Sequence, residues 1–241
     1  MCQRYTLEDL MEIVETLRGE NGCLWDKEQT HRSLKPYMME EAAELVSSIR
    51  IFDTTGNAEN MREELGDVLF HVVLHSQIAK EEGLFTFEDV VQEISEKMVR
   101  RHPRVFIKEG QAGEADGEIP SWDEIKRKEK EGKEWIISPL REEPGELPAL
   151  VRAVKVMRKA DKLYGAGRDY QTNVERIQEA AAALADIRPE EEAARLEEVM
   201  GDILTGLADL ARQRRISLEQ ILTDRTESLI EHYEPMENPE K

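Results

Sequence analysis

The sequence predicts an all-α protein, on three observations. Apolar residues recur at three- and four-residue spacing along nearly the whole chain, the period of an amphipathic helix. Aromatic residues make up only 5% of the 241 positions, so Leu, Val, Ile, Ala and Met must build the core, which suits helix packing better than a β-sandwich. No convincing strand or hairpin signal interrupts the helical period.

Taken in order, Leu7, Leu10, Met11, Val14 and Leu17 form a first stripe, and Gly19, Asn21 and Gly22 end that helix. The residues that follow, with Trp25 and Asp26, read as a polar loop. A second helix is predicted from near Ser33 to Phe52, with Pro36 tolerated in its first turn, and a loop from Asp53 to Asn57. A third runs from about Glu59 to Glu82 and is closed by Gly83. Thr86, with Asp89 three residues on, caps a fourth that reaches Arg101 and is stopped by Pro103. Residues 108–120, rich in Gly and charge, are the best linker. Ser121 caps a short charged helix from Trp122 to Glu134, and Pro139, Pro144 and Pro148 mark an extended connection. Further helices are expected at about 149–163, 173–186, 190–214 and 217–233. The expected organisation is an N-terminal domain over 1–108, a linker with a short helix over 109–146, and a C-terminal domain over 147–241.

Charge narrows the function. With 52 acidic against 33 basic residues the formal net charge is −19, which disfavours broad contact with a nucleic-acid polymer. A small anionic substrate stays possible if metal ions bridge it to carboxylates. Two cysteines, Cys2 and Cys23, are too few for a disulfide framework and form no paired metal motif. Met1 to Leu10 lacks the apolar stretch of a signal peptide, and no segment holds the roughly 18 apolar residues a membrane span requires. A reducing cytoplasm is the expected setting.

Two acidic clusters carry the chemistry. Glu40, Glu41 and Glu44 lie in the second predicted helix, and Glu63, Glu64 and Asp67 in the third. Glu41 and Glu44 are three apart and share a face, as do Glu64 and Asp67. Two such faces turned together would gather four carboxylates whose repulsion a hard divalent cation relieves. The competing reading is a solvated acidic face. Against it, each pair adjoins residues expected to bury its helix: Leu45, Val46 and Ile49 in one, Leu65, Val68, Leu69 and Val72 in the other. Lys97, Arg100, Arg101, His102 and Arg104 form a basic patch, with Lys97 and Arg101 on one helix face. Favourable charge at a helix C-terminus explains one or two of these cations, and a triphosphate explains the set.

These segments resemble the MazG family of nucleoside triphosphate pyrophosphohydrolases. Asn21 to His31, containing Gly22-Cys23-Leu24-Trp25-Asp26, is similar to the family's Gly-Cys-Pro-Trp-Asp segment with Leu24 at the usual proline. Glu40-Glu41-x-x-Glu44 with Glu64-x-x-Asp67 is similar to its metal motif, and Lys97-x-x-Arg100-Arg101-His102-Pro103-x-Val105-Phe106 to its basic segment. The resemblance implies an α-helical homodimer or higher homo-oligomer. It implies Mg²⁺, with Mn²⁺ as a workable substitute, on Glu41, Glu44, Glu64 and Asp67. It further implies cleavage between the α- and β-phosphates of a nucleoside triphosphate, giving a monophosphate and pyrophosphate. Glu40 or Glu41 would orient the attacking water, Lys97, Arg100 and Arg101 would hold phosphates, and Trp25 would stack on the base unless it is a core residue.

The C-terminal half resembles the N-terminal half, so the expected fold is two tandem MazG-like helical-bundle repeats, the second degenerate. Leu196 to Leu204 parallels Met61 to Leu69 in its Gly-Asp-x-Leu, but Val199 stands at the place of Glu64. Ala180 and Ala183 stand at the places of Glu41 and Glu44, and Ser228, Glu231 and His232 at those of Lys97, Arg100 and Arg101. Only Asp202 survives of the four ligands, so the second half is expected to be catalytically silent.

Three other features rank lower. His71 and His75 are spaced to bind zinc, but no third nitrogen or sulfur ligand is apparent, and they read as rim or dimer contacts. Cys23 lacks an activating partner. Trp122 anchors the linker helix or approaches the nucleotide. The expected function is housecleaning hydrolysis of canonical or aberrant (deoxy)nucleoside triphosphates. The rival is a nucleotide-sensing or protein-binding regulatory dimer with little catalysis.

Overall fold

The computed structural model describes residues 4–106, 122–129, 131, 138–187 and 193–237, and every regular element among these residues is helical. The chain forms two compact units, Met1–Glu129 and Lys130–Lys241. The first holds α1 (Leu7–Arg18), α2 (Leu24–Glu28), α3 (Lys35–Thr55), α4 (Glu59–Glu81), α5 (Phe87–Arg101), α6 (Pro103–Phe106) and α7 (Trp122–Lys128). The second holds α8 (Ala149–Tyr164), α9 (Tyr170–Asp186), α10 (Ala193–Arg214) and α11 (Leu218–Glu237).

In the first unit, Val14, Leu34, Val73, Leu74 and Ile78 form the core, with Leu10, Met11, Phe70 and Phe87 packed on it. Burial of each such aliphatic side chain is worth about 1.5–3 kcal/mol. All the buried positions of α4 fall between His71 and Ala79, in its C-terminal half. Its N-terminal half packs on α3 and leaves that core behind. Gly56, in the left-handed conformation at φ 72°, ends α3 and lets the chain turn back into α4. Thr6 and Thr86 cap α1 and α5 with reciprocal capping boxes through Asp9 and Asp89.

Several sequence expectations change. The segment around Trp25 and Asp26 is a short helix, α2, not a loop. Tertiary contacts hold it: Arg18 donates from Nη1 to the backbone oxygens of Asp26 (2.5 Å) and Gln29 (3.2 Å), and from Nε and Nη2 to the Glu81 carboxylate. The turn into α2 admits only glycine at position 22, because a Cβ there would lie 2.1 Å from the Leu17 carbonyl oxygen. Pro103 opens α6 as well as following α5, since a first helical residue needs no N–H donor. Helix α9 begins three residues before the expected 173, because Asp169 accepts from the Thr172 N–H at 2.8 Å. Helix α7 packs against α5 within the first unit. The expected linker 108–120, the cap Ser121, and the helix positions 130 and 132–134 lie outside the described residues.

In the second unit α9 and α10 approach closely: a Cβ on Gly206 would lie 2.7 Å from Ile177 Cγ1. A buried polar chain crosses this unit. Asn173 donates to Asp209 (2.6 Å), and Arg212 donates to both Asp209 (2.6 Å) and Asp161 (2.8 Å).

Candidate active site

The antiparallel pairing of α3 and α4 brings the two acidic clusters face to face. One carboxylate oxygen each from Glu41, Glu64 and Asp67 lie within 4.8 Å of one another. Glu44, one turn along α3, joins the same electrostatic field as Glu41 and Glu64. Burial pushes the Glu41 carboxyl above its ordinary pKa, and Asp67, Glu64 and Glu40 push it further. Burial also raises Glu44, with Glu64, Glu41 and Glu40 adding to it. Carboxyls that resist ionisation next to one another are the signature of a site short of positive charge. An all-oxygen donor set fits a hard divalent cation such as Mg²⁺.

Asn60 contacts the acidic cluster and was not singled out from the sequence. Its Nδ2 donates to Glu64 Oε1 at 2.7 Å and fixes the direction of that carboxylate. The spacing of four along α4 was the available signal, though Asn followed by Glu at that interval is common on solvated helices. Glu40 is exposed beside Glu41 and lies outside the converging trio.

The apolar residues expected to bury these helices do not all do so. Val46 (64% exposed), Ile49, Leu65 and Leu69 face outward, while Leu45, Val68 and Val72 are partly buried. A hydrophobic stripe marks a face that seeks cover, and nothing in the described part of the chain provides it here.

The basic segment is already engaged. Glu129, just past α7, accepts from Arg100 Nη2 (2.9 Å) and from Arg101 Nη2 (2.5 Å). Hydrogen bonding by Arg101 lowers the Glu129 pKa to about 2, with Arg100 contributing. The Arg101 guanidinium also sits 5.2 Å from the Trp122 ring centre. Trp122 thus anchors α7 on the end of α5. Lys97 is partly buried and has no ion pair or hydrogen bond among the described residues. The side chain of Arg104 lies outside the described set.

Trp25 is not a core residue. Half its surface is exposed, and it meets Tyr37 edge-on with ring centres 5.8 Å apart. His71 is 6% exposed, so it lines no rim, and its Nδ1 is buried without a hydrogen-bond partner. Burial lowers its pKa, opposed by Asp67. His75 instead meets His31, Nδ1 to Nδ1 at 2.8 Å, in parallel rings. That contact requires a proton on one Nδ1 and a lone pair on the other. No histidine joins the converging acidic trio among the described residues.

In the second unit, Asp202 is paired with Arg176 at 3.4 Å rather than gathered with other acids.

Comparison with known proteins bears on this arrangement. The MazG nucleotide pyrophosphohydrolase domain matches residues 29–106. A Thermotoga maritima protein named nucleoside triphosphate pyrophosphohydrolase/pyrophosphatase MazG is 38% identical over 95% of this chain and 85% of its own length. The chain belongs to the MazG family. The Escherichia coli K12 nucleoside triphosphate pyrophosphohydrolase is 35% identical over 96% of this chain and 87% of its own. A Bacillus subtilis protein, YabN, named only as uncharacterized, is 49% identical over 61% of this chain and 28% of its own. The MazG domain match runs from Gln29 to Phe106, taking in α3 to α6 with the acidic trio, Lys97, Arg100 and Arg101; Trp25 falls just before it.

Proposed function

We propose that the first unit hydrolyses nucleoside triphosphates, canonical or aberrant, between the α- and β-phosphates, releasing a nucleoside monophosphate and pyrophosphate. The observation that carries this reading is the convergence of Glu41, Glu64 and Asp67 from two helices, with Glu44 beside them. These four would hold Mg²⁺, or Mn²⁺ in its place, and such an ion supplies charge neutralisation at the phosphates and a more acidic water. Glu40 or Glu41 is assigned to orienting the attacking water. Lys97, Arg100 and Arg101 are assigned to the phosphate oxygens. Of these, Lys97 has no competing partner among the described residues, whereas a phosphate reaching Arg100 and Arg101 shares them with Glu129 or displaces it. The half-exposed Trp25, backed by the edge of Tyr37, presents a face for the base.

The second unit is assigned no chemistry: with Ala180, Ala183 and Val199 at the ligand positions and Asp202 tied to Arg176, nothing remains to hold a cation. The outward apolar residues Val46, Ile49, Leu65 and Leu69 support a homo-oligomer in which a second copy covers them. No helix among the described residues is long and apolar enough to cross a membrane, and the proposed nucleoside triphosphate substrate fits the expectation of a cytoplasmic setting.

Pyrophosphate release from a nucleotide panel, with and without Mg²⁺, tests the reading. Glu41→Gln and Glu64→Gln should each reduce kcat/KM by about 100-fold or more, and Asp202→Asn should leave it unchanged. Tight nucleotide binding without turnover in the unaltered protein would favour a sensor and overturn the assignment.

A further inference from the structure

We infer that the second unit carries a binding site for a nucleoside phosphate in the cleft between α8, α10 and α11, separate in every residue from the acidic site of the first unit. The cleft has a volume of about 650 Å³, within the roughly 300–1,000 Å³ of small-molecule sites and too small for a docked helix. Lys155, Arg158, Arg212 and Arg215 all line it. Four cations converging on one cleft is unexpected in a chain with 52 acidic and 33 basic residues, where acidic partners are in excess.

The cations divide into two kinds. Arg212 is neutralised within the fold by Asp161 and Asp209, and Lys155 stands 3.7 Å from Glu143. The guanidinium groups of Arg158 and Arg215 have no ion pair or hydrogen bond among the described residues. Those two are available to a ligand. Arg215 is also held in the left-handed conformation at φ 56°, the one non-glycine residue with positive φ among the described residues. It occupies the position after α10 where glycine is the usual choice, closed by the Ile216 N–H to the Ala211 oxygen at 3.1 Å. A long cationic side chain kept at a position of backbone strain points to a role outside folding.

The rest of the lining selects more than a bare anion. Val154, Ile216 and Leu218 supply apolar wall. Glu219 lines the same cleft, and its Oε2 is buried without a hydrogen-bond partner. An unmet acceptor beside two unmet guanidinium groups asks for a ligand that is anionic at one end and carries N–H or O–H donors at the other. A nucleoside phosphate meets both demands: phosphate for Arg158 and Arg215, sugar or base donors for Glu219, and a flat ring for the apolar wall.

A similar crevice between three helices of the first unit is largely filled. Ser217 caps α11 as Thr86 caps α5, each accepting from the N–H three residues on. Between α1, α4 and α5 the crevice shrinks to about 70 Å³, lined by Phe87 at the place of Leu218 and spanned by a Lys80–Glu15 ion pair at 3.1 Å. The first unit fills this space with an aromatic ring and a neutralised pair, whereas the second leaves it open and cationic.

Calorimetric titration of the full chain with ADP in the presence of EDTA tests the assignment, because a site built from arginines needs no metal. One ADP should bind per chain, at least tenfold more tightly than inorganic pyrophosphate. Arg158→Glu and Arg215→Gly should each weaken binding at least tenfold; the second places glycine where the backbone favours it, so the fold survives. Glu41→Gln should leave ADP binding in EDTA intact while removing turnover, which separates this site from the proposed catalytic one. Absence of ADP binding in EDTA, indifference to both arginine substitutions, loss in Glu41→Gln, or equal affinity for pyrophosphate would overturn the inference.

Discussion

Glu41 and Glu44 hold their protons more tightly than free glutamates because burial and neighbouring carboxylates oppose ionisation. The consequence for stability has a definite sign. Where the folded pKa lies above the unfolded one, the native state binds more protons, so stability is full below the unfolded value near 4.5 and falls as pH rises through the raised folded values. A divalent cation at the proposed site reverses this, because it binds the ionised form. Thermal melts from pH 4.5 to 7 should therefore show the metal-free protein losing stability while the increment from added Mg²⁺ grows. A constant Mg²⁺ increment across that range would argue against the carboxylate cage. Asn60 acts through Glu64, at 2.7 Å, so Asn60→Ala should raise the Mg²⁺ concentration for half-maximal activity about tenfold or more, with the fold unchanged. Glu41, Glu64 and Asp67 were legible in the sequence because three-residue spacing puts each pair on one helix face. Asn60 was not, because an amide four residues before a glutamate is ordinary on a solvated helix.

Individual helices divide their duties along their length. The C-terminal half of α4 is buried against α1 and the start of α5, giving the N-terminal half a rigid base from which to present Glu64 and Asp67. Helix α7 is fixed differently, by one carboxylate. Glu129 is held near pKa 2 by Arg101 and Arg100, so its ion pairs are fully present above the unfolded value near 4.5 and are lost as pH falls toward 2. Glu129→Ala should weaken docking of α7 by about 1.5–3 kcal/mol, read as movement of the Trp122 indole resonance at neutral pH. An unmoved resonance would show that α7 is held by packing of the buried Ile125 instead. The helix start at Thr86 and the stop at Gly83 follow from local chemistry and were readable, whereas α3 runs three residues past the expected Phe52, to Thr55 before the left-handed Gly56. Helix α2 was not: its five residues have no side-chain cap, and Arg18 holds them from another element.

Across the whole molecule, the two units differ in what they gather. The first concentrates acids between α3 and α4; the second presents a basic cleft between α8, α10 and α11. The outward apolar face of the first unit should be covered by a second copy. Val46→Glu at this 64% exposed position should shift sedimentation toward monomer and reduce turnover. Unchanged sedimentation would mean that the stripe is not the contact.

The sequence alone determined helix content, most helix boundaries, the family and the paired acidic faces, because helical period, caps and three-residue spacing act over a few neighbouring residues. The tertiary structure decided which of those faces meet, that Arg100 and Arg101 are held by Glu129, that His71 is buried while Val46 and Leu65 are not, and that the second unit encloses a cationic cleft. Each of these depends on contacts between residues far apart in the chain, such as the 28 positions between Arg101 and Glu129, and no local pattern encodes them.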